Sequence, residues 1–210
     1  MKHVAIIDYG SGNLHSMLKA TEHAARNTGH TVSLTSNASE VAEASHIILP
    51  GVGAFADCMS GLQAINGLID ALTTRVIEQK TPFLGVCVGM QLLAKIGHEH
   101  GEHHGLGWLD AEITPISPQD PQLKIPHMGW NNLNLHTRHS LFDNVTSGDH
   151  VYFVHSYHME CKDPANILAT IEYDHIITAA VGKDNIVGTQ FHPEKSQKTG
   201  LRIIENFLSM

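Results

Sequence analysis

Apolar residues divide the first half of the chain into strand-length and helix-length segments. Strand-length apolar runs occupy residues 4–7, 31–34 and 45–49, and a further run begins after Pro82. Between these runs, apolar residues recur three or four positions apart over residues 14–27 and 54–80, a spacing typical of amphipathic helices, with a break near residues 61–67. Strands that alternate with helices in this way predict a parallel, doubly wound α/β sheet.

The pattern changes after Trp108 to short β-rich segments separated by proline, asparagine and aspartate turns. These segments are residues 112–116, 133–135, 152–154, 167–173, 176–181 and 186–190. They predict antiparallel strands in the C-terminal half, packed beside the parallel core. Apolar residues at positions 201, 204 and 208 predict a closing helix, and because no linker or repeat interrupts the sequence we expect one domain over residues 1–210.

Composition narrows the classes of function. A hydrophobic content of 42% in 210 residues suits a compact core, and a net charge of −8 disfavours binding to nucleic acid or an anionic membrane. Three cysteines form an odd, sparse set that argues against a disulfide framework and for a reducing compartment. The first apolar segment is too short for a signal peptide and stops at Asp8, so we expect a cytoplasmic protein.

Two segments invite ligand-binding interpretations that their spacing does not support. The loop at residues 8–13 follows a strand, but His15 stands where a dinucleotide fingerprint needs its third glycine. Four histidines at positions 98, 100, 103 and 104 lie in a charged, glycine-rich stretch and match no metal-ligand template. We therefore expect a solvated loop at 98–105, no metal or cofactor, and a functional loop of another kind at 8–13.

A cysteine lies between two glycines where a predicted strand gives way to a helix. Gly85-Val86-Cys87-Val88-Gly89 has the form of a nucleophile elbow, with cysteine in the place of serine. The flanking glycines let neighbouring chain pass close to a strained turn, and a helix N-terminus favours a thiolate. The alternative is a buried core cysteine between two turn glycines.

The loop after the third strand supplies candidate hydrogen-bond donors. Gly51 and Gly53 flank Val52 just before a predicted helix, which leaves backbone N–H groups unobstructed by side chains. Such groups suit a developing oxyanion. An ordinary strand-to-helix turn is the alternative.

A histidine and a glutamate near the C-terminus complete a candidate triad. His192 and Glu194 are two positions apart, and in an extended chain such residues face the same way, about 6.6 Å apart. Glu194 can curl back to accept the Nδ1–H of the imidazole, while Pro193 restricts the backbone between them. A surface turn is the alternative for this motif alone. Its occurrence together with the cysteine elbow favours a Cys-His-Glu triad for acyl transfer.

Six blocks along the chain carry a resemblance to a known family: residues 7–13, 49–55, 85–91, 126–131, 152–157 and 191–196. They resemble the class I, triad-type glutamine amidotransferases, and among these the glutaminase subunits of imidazole glycerol phosphate synthases. The elbow and the His-Pro-Glu motif are shared by the whole class, whereas the loop at 9–13, Met90 and the 152–157 block resemble the synthase subunits. Val88, where leucine is commoner, is a small departure.

The resemblance implies a role for each residue of the site. Cys87 would attack the carboxamide carbon of glutamine, His192 would take the thiol proton and protonate the leaving ammonia, and Glu194 would orient His192. The oxyanion would be held by backbone N–H groups of Val52, Gly53 and Val88. The glutamine pocket would be lined by Gly51, Gln91, Ser156 and Tyr157.

A partner follows from the chemistry of ammonia, which in neutral water becomes ammonium and is then no nucleophile. The resemblance implies a separate (β/α)₈-barrel cyclase subunit in a 1:1 heterodimer, which uses the ammonia to make imidazole glycerol phosphate and AICAR in histidine biosynthesis. We expect weak activity without this partner and stimulation by it. The candidate contacts are Asn13, Trp130 and Lys195.

Two other functions stay open at this point. A free-standing cysteine hydrolase of the same fold would cut γ-glutamyl bonds in larger substrates and need no partner. A catalytically silent interaction subunit would not react with a glutamine-derived electrophile at Cys87.

Overall fold

The computed structural model describes residues 2–26 and 28–210. The strands, numbered in chain order, are β1 (Lys2–Ile7), β2 (His30–Thr35), β3 (His46–Gly51), β4 (Phe83–Cys87), β5 (Ile96–Gly97), β6 (His103–His104), β7 (Ala111–Pro115), β8 (His127–Asn132), β9 (Asn134–Leu135), β10 (His150–His155), β11 (Tyr157–Cys161), β12 (Ile167–Tyr173), β13 (His175–Lys183) and β14 (Ile186–Thr189). The α-helices are α1 (Leu14–Ala25), α2 (Ala38–Glu43), α3 (Phe55–Ala64), α4 (Leu68–Thr73), α5 (Val88–Gln91) and α6 (Gln197–Leu208).

The central sheet has eight strands in the order β2-β1-β3-β4-β14-β13-β12-β9. The pairings from β2 to β14 are parallel, and those from β14 to β9 are antiparallel. All residues of β3 and β4 are buried, as expected for apolar strands that are covered on both faces of a parallel sheet. The prediction of a mostly parallel α/β sheet with antiparallel additions is confirmed.

The position of β14 corrects one part of that prediction. The segment at 186–190 was expected to be an antiparallel addition beside the core, but β14 is parallel to β4 and completes the parallel part of the sheet. It is antiparallel only to β13, with which it forms a hairpin. Its carboxyl end therefore lies beside that of β4, which brings the chain after β14 next to the cysteine elbow.

Four strands outside the central sheet, β5, β6, β8 and β11, were not predicted from the sequence. β8 pairs with β10 in a two-stranded antiparallel ribbon, and β11 joins β7, β5 and β6 in a four-stranded sheet. β5 ends just before the histidine-rich segment and β6 lies within it, so residues 98–105 contain one strand of a short antiparallel pair and are not a loop throughout.

The helices agree with the predicted periodicity. α1 buries Met17, Thr21, Ala24 and Ala25 on one face and ends at Ala25, while the predicted end at Asn27 lies outside the described residues. The break expected near 61–67 separates α3 from α4, which continues into a π-helical turn at Thr74–Glu78. None of the described helices is both long enough and apolar enough to cross a bilayer.

The strand order reverses between β1 and β3, because β2 follows β1 on one side and β3 lies on the other. Right-handed crossovers then place α1 on one face of the sheet and α2 to α4 on the other. In agreement, α1 packs against α6, and α2 packs against α4. Ligands of open α/β sheets bind at such a reversal, outside the carboxyl ends of the strands.

Candidate active site

A cavity of about 260 Å³ opens at the carboxyl ends of the parallel strands. This volume is slightly below the roughly 300–1,000 Å³ of pockets that hold drug-sized ligands, and it suits a small metabolite such as an amino acid. More open grooves of about 690 and 660 Å³ lie elsewhere and contain none of the predicted site residues. The cavity brings together, from separate parts of the chain, Val52, Gly53, Cys87, Val88, Gln91, Ser156, Tyr157 and His192.

The backbone at Cys87 has the strained geometry of a nucleophile elbow. Cys87 ends β4 with φ at 55°, a left-handed conformation that residues with a side chain rarely adopt. The two flanking glycines are required by close approach, since a Cβ at Gly89 would lie 1.8 Å from the Leu49 oxygen and a Cβ at Gly85 would lie 2.6 Å from the Gly89 oxygen. The expected helix after the elbow is only the four residues of α5, so its dipole contributes little to thiolate formation.

His192 and Glu194 form the predicted ion pair, with Nδ1 of the imidazole 2.8 Å from Oε1 of the carboxylate. Both side chains are only 2% exposed, so solvent screens the interaction little. The backbone differs from the extended chain assumed in the prediction, because Pro193–Lys195 forms a 3₁₀ turn. The turn shortens the path between the two residues, and the contact forms without an unusually curled glutamate.

The electrostatic environment keeps His192 protonated at neutral pH. Burial lowers the pKa of the imidazole, but its interactions with the Cys87 sulfur and the Glu194 carboxylate outweigh burial and raise the pKa to about 9. Nε2 is buried and has no hydrogen-bond partner among the described residues, and the ring lines the same cavity as Cys87. An imidazolium that lines the same cavity as a cysteine sulfur can stabilise a thiolate there and later donate a proton.

A chain of amides connects the sulfur to the wall of the cavity. Gln190 Nε2 lies 3.8 Å from Cys87 Sγ, and Gln190 Oε1 accepts a hydrogen bond of 3.1 Å from Gln91 Nε2. The same Gln91 nitrogen lies 3.3 Å from the Tyr157 carbonyl oxygen. Gln91 is 4% exposed, so its amide is held by protein groups and forms part of the rigid lining of the pocket.

The backbone N–H of Val52, a predicted donor to the oxyanion, already donates to another group. Its N–H donates to Ser11 Oγ at 3.1 Å, while Ser11 Oγ donates to the Val52 carbonyl at 2.5 Å and Cys58 Sγ approaches that carbonyl at 3.4 Å. The expectation of a free Val52 N–H is therefore wrong for this conformation. Gly53 has φ at 100° and open space around its Cα, and Gly51 pairs with Cys87 at the end of the β3–β4 ladder.

Glu99 is a cavity residue that the sequence analysis missed. It follows β5 in the histidine-rich segment and lines the cavity, where its Oε2 accepts a hydrogen bond of 2.7 Å from the Phe55 N–H at the start of α3. Nothing in the local sequence separates Glu99 from the nearby Glu102, which is exposed and lies outside the cavity. The segment as a whole contains no group of residues able to hold a metal ion within the part of the chain that the structure describes.

The three residues predicted to contact a partner lie close to the triad but differ in exposure. Trp130 is 47% exposed and packs edge-on against Tyr152, and the exposed Lys195 places its Nζ 5.9 Å from the same Tyr152 ring. Asn13 is partly buried, and its Nδ2 lies 3.3 Å from the Glu194 carboxylate. The loop that contains Asn13 is therefore in direct contact with the triad.

Known structures share this fold. A solved glutamine amidotransferase superposes with a TM-score of 0.72 at 18% identity, covering 99% of this chain and 99% of that one. A glutamine amidotransferase from Thermotoga maritima superposes with a TM-score of 0.66 at 17% identity, covering 94% of this chain and 78% of that one. At these identities the likeness shows the fold alone.

Sequence comparison gives the family. The model of the family described as glutamine amidotransferase class-I matches residues 5–210. A relative from Rhodospirillum rubrum, named imidazole glycerol phosphate synthase subunit HisH, is 54% identical over 208 residues, covering 98% of this chain and 97% of the relative. A relative of the same name from Mesorhizobium japonicum is 52% identical over 210 residues, with the same coverage. Because the family model and these relatives span nearly the whole sequence, the chain belongs to the class-I glutamine amidotransferase family.

Proposed function

We propose that this protein is the glutaminase subunit of an imidazole glycerol phosphate synthase, which hydrolyses L-glutamine to glutamate and ammonia and passes the ammonia to a cyclase subunit. The observation that carries the proposal is the buried His192–Glu194 pair, whose imidazole lines the same cavity as the strained Cys87 elbow. The names of relatives more than half identical over nearly the full chain support the choice of synthase.

The geometry is consistent with a two-step acyl transfer. The Cys87 sulfur attacks the carboxamide carbon, and His192, protonated at neutral pH, gives its proton to the nitrogen as the C–N bond breaks and ammonia leaves. A water molecule then attacks the thioester carbon while the neutral His192 accepts the water proton. Glutamate leaves as the C–S bond breaks, which regenerates the sulfur and the imidazolium. Glu194 holds Nδ1 of the imidazole, which leaves Nε2 for these proton transfers.

The engaged Val52 N–H accounts for the expected dependence on a partner. A tetrahedral intermediate needs backbone donors aimed at its oxyanion, and losing one such donor costs about 10²–10³-fold in rate. In this conformation the Val52 N–H donates to Ser11 Oγ, so full activity requires the peptide group that carries this N–H to reorient. Docking of a cyclase near Asn13 and Trp130 would supply that change close to the loop that holds Ser11.

Replacing Ser11 with alanine is expected to raise glutaminase activity in the absence of partner by about two- to tenfold, because a neutral hydrogen bond contributes about 0.5–1.5 kcal/mol to the resting conformation. The measurement is glutamate release by the isolated variant and wild type. Ser16, the third residue of helix α1 and partly exposed, provides a matched serine-to-alanine control with unchanged activity expected. Lower activity in Ser11→Ala would contradict a restraining role.

Glu99 is proposed to bind the α-ammonium group of glutamine, because it is the one carboxylate among the described residues that line the cavity. Glu99→Gln keeps an oxygen for the Phe55 N–H but removes the charge. The KM for glutamine is expected to rise by about 10–100-fold with a smaller change in kcat, since hydrogen bonds to charged groups contribute about 1.5–3 kcal/mol. Steady-state kinetics of Glu99→Gln and of the exposed control Glu102→Gln decide this, and equal KM values would refute the assignment.

The proposed partner is a (β/α)₈-barrel cyclase bound in a 1:1 complex through the surface that includes Asn13, Trp130 and Lys195. The test is to measure glutamate release with and without a purified cyclase subunit, and to determine the mass of the mixture by light scattering. We expect a heterodimer and faster hydrolysis when the cyclase and its ligand are present. Equal rates in both conditions, with no complex, would indicate a free-standing hydrolase instead.

A further inference from the structure

A pair of buried histidines lies behind the cavity and takes no part in the proposed reaction. His127 and His155 are opposite each other in the antiparallel β8–β10 ribbon. They are 4% and 5% exposed, and His127 Nδ1 lies 2.9 Å from His155 Nε2. His155 also lines the cavity, whereas His127 does not.

The pair belongs to a longer line of hydrogen bonds. At one end, His155 Nδ1 lies 2.9 Å from the Tyr157 carbonyl oxygen. At the other end, the Asn131 side-chain amide Nδ2 lies 3.4 Å from His127 Nε2 and 3.0 Å from the Glu172 carbonyl oxygen. The line therefore runs from a carbonyl of β12 through two imidazoles to a carbonyl at the pocket wall.

The terminal carbonyl determines which nitrogen carries each proton. A carbonyl oxygen only accepts, so His155 Nδ1 must carry a hydrogen. In a neutral ring His155 Nε2 is then an acceptor, which requires a hydrogen on His127 Nδ1 and leaves His127 Nε2 to accept from Asn131. Each step is consistent with the next: from the Asn131 amide through the two rings every hydrogen bond points towards Tyr157, while the other Asn131 N–H donates to the Glu172 carbonyl.

Both rings are neutral at physiological pH, as this arrangement requires. Burial lowers the pKa of His127 to about 4. Burial also lowers the pKa of His155 to about 3, although its hydrogen bond to Tyr157 acts in the opposite direction. Protonation of His155 would place two N–H groups against each other across the 2.9 Å contact, and protonation of His127 would direct a second N–H at the Asn131 amide nitrogen.

Two side chains contact the Tyr157 carbonyl oxygen. It accepts from His155 and lies 3.3 Å from Gln91 Nε2, the amide that also contacts Gln190 beside the Cys87 sulfur. The preceding carbonyl, of Ser156, accepts from the Ile116 N–H at 2.9 Å. These contacts fix the peptide planes on both sides of Tyr157, in the segment that lines the cavity between β10 and β11.

We propose that His127 and His155 are positioning residues, which hold the Ser156–Tyr157 wall of the substrate pocket through one directional line of hydrogen bonds. This inference rests on the proposed function for the identity of the substrate. Two apolar side chains opposite each other in β8 and β10 would pack equally well, but they would leave the Tyr157 carbonyl without its histidine donor. The need for a buried donor explains why imidazoles occupy this site.

The first test is independent of activity. The ¹⁵N spectrum of the full chain, labelled at histidine, should show His127 and His155 both protonated at Nδ1 and unprotonated at Nε2 at neutral pH. A proton at Nε2 of either ring would overturn the proposal.

The second test uses two variants that each keep one half of the His155 contacts. The Asn amide in His155→Asn can occupy the place of Nδ1 and donate to Tyr157, whereas the amide in His155→Gln reaches the place of Nε2 and loses that donor. With cyclase bound, we expect the KM for glutamine to rise roughly tenfold in His155→Gln and by less than about threefold in His155→Asn, because one hydrogen bond is at stake. Equal KM values in the two variants would overturn the proposal.

The control is His46→Gln, which changes a buried histidine that is remote from the cavity. It should lower thermal stability without changing KM, which separates positioning from general packing. If wild type with cyclase releases no glutamate, the proposed function fails, and the ¹⁵N spectrum then decides the hydrogen-bond line separately.

Discussion

Replacing Cys87 with alanine is expected to lower glutamine hydrolysis by at least about 10³-fold, because the thioester intermediate cannot form without its sulfur. The fold should persist, since the change removes one atom from a side chain that is 4% exposed and leaves the flanking glycines in place. The measurement is glutamate release by the variant in the presence of the cyclase, with its circular dichroism compared with that of wild type.

The other free cysteines provide the control for this experiment. Burial raises the pKa of Cys161 to about 11, so its thiol is neutral at physiological pH, and it lies outside the cavity. Cys161→Ala should keep full activity. A diazo-ketone analogue of glutamine should label wild type at Cys87 alone, as found by mass spectrometry of the digested protein. More than about a tenth of the wild-type rate in Cys87→Ala would rule out the covalent mechanism.

Replacing Glu194 with glutamine is expected to lower kcat by up to about 10⁴-fold, the loss seen when the orienting carboxylate of a triad is neutralised. The buried carboxylate is one of two groups that raise the His192 pKa to about 9 against the effect of burial. Without it the pKa should fall, and less imidazolium is available at neutral pH to protonate the leaving nitrogen. The descending limb of the pH–rate profile should therefore move to lower pH in the variant.

The same shift changes how stability depends on pH. The pKa of His192 in the folded chain is above the ordinary value of 6.5, so binding its proton stabilises the fold. This contribution is complete below about pH 6.5 and is lost as the pH rises through about 9. In Glu194→Gln the decline should be smaller and occur at lower pH.

Urea unfolding at several pH values and an NMR titration of His192 measure both effects of Glu194→Gln. Glu160→Gln is the matched control, because Glu160 lies 3.7 Å from His158 in a His–Glu pair outside the cavity, with the glutamate 61% exposed. An unchanged His192 titration in Glu194→Gln would contradict the role assigned to this carboxylate.

The sequence was sufficient to predict β1 to β4 of the parallel sheet and to single out Cys87, His192 and Glu194 as candidate site residues. β1, β3 and β4 are short apolar runs because both of their faces are buried, and that pattern is visible without any structure. The elbow was predictable because only glycine tolerates the contacts made at positions 85 and 89. The His192–Glu194 contact was predictable because it is local, although its 3₁₀ backbone was not.

The remaining features depend on contacts between distant parts of the chain. β8 was missed because its inward-facing positions include a histidine and a glycine, and its outward positions include Met128 and Trp130, so the usual alternation is reversed in places. The direction of β14 relative to β4 cannot be read from a fully buried four-residue run. The Glu99–Phe55 and Ser11–Val52 contacts join segments that are far apart in sequence, so no local sequence pattern could predict them.

The pairing of β4 with β14 affects the order in which structure and activity form during folding. The sulfur and the imidazole belong to opposite halves of the chain and are brought together by a parallel ladder that closes a very long loop. Such non-local pairing forms slowly compared with helices and hairpins. Recovery of enzymatic turnover during refolding should therefore lag behind recovery of helical signal, and a nascent chain still lacking its last strand should be unable to consume glutamine.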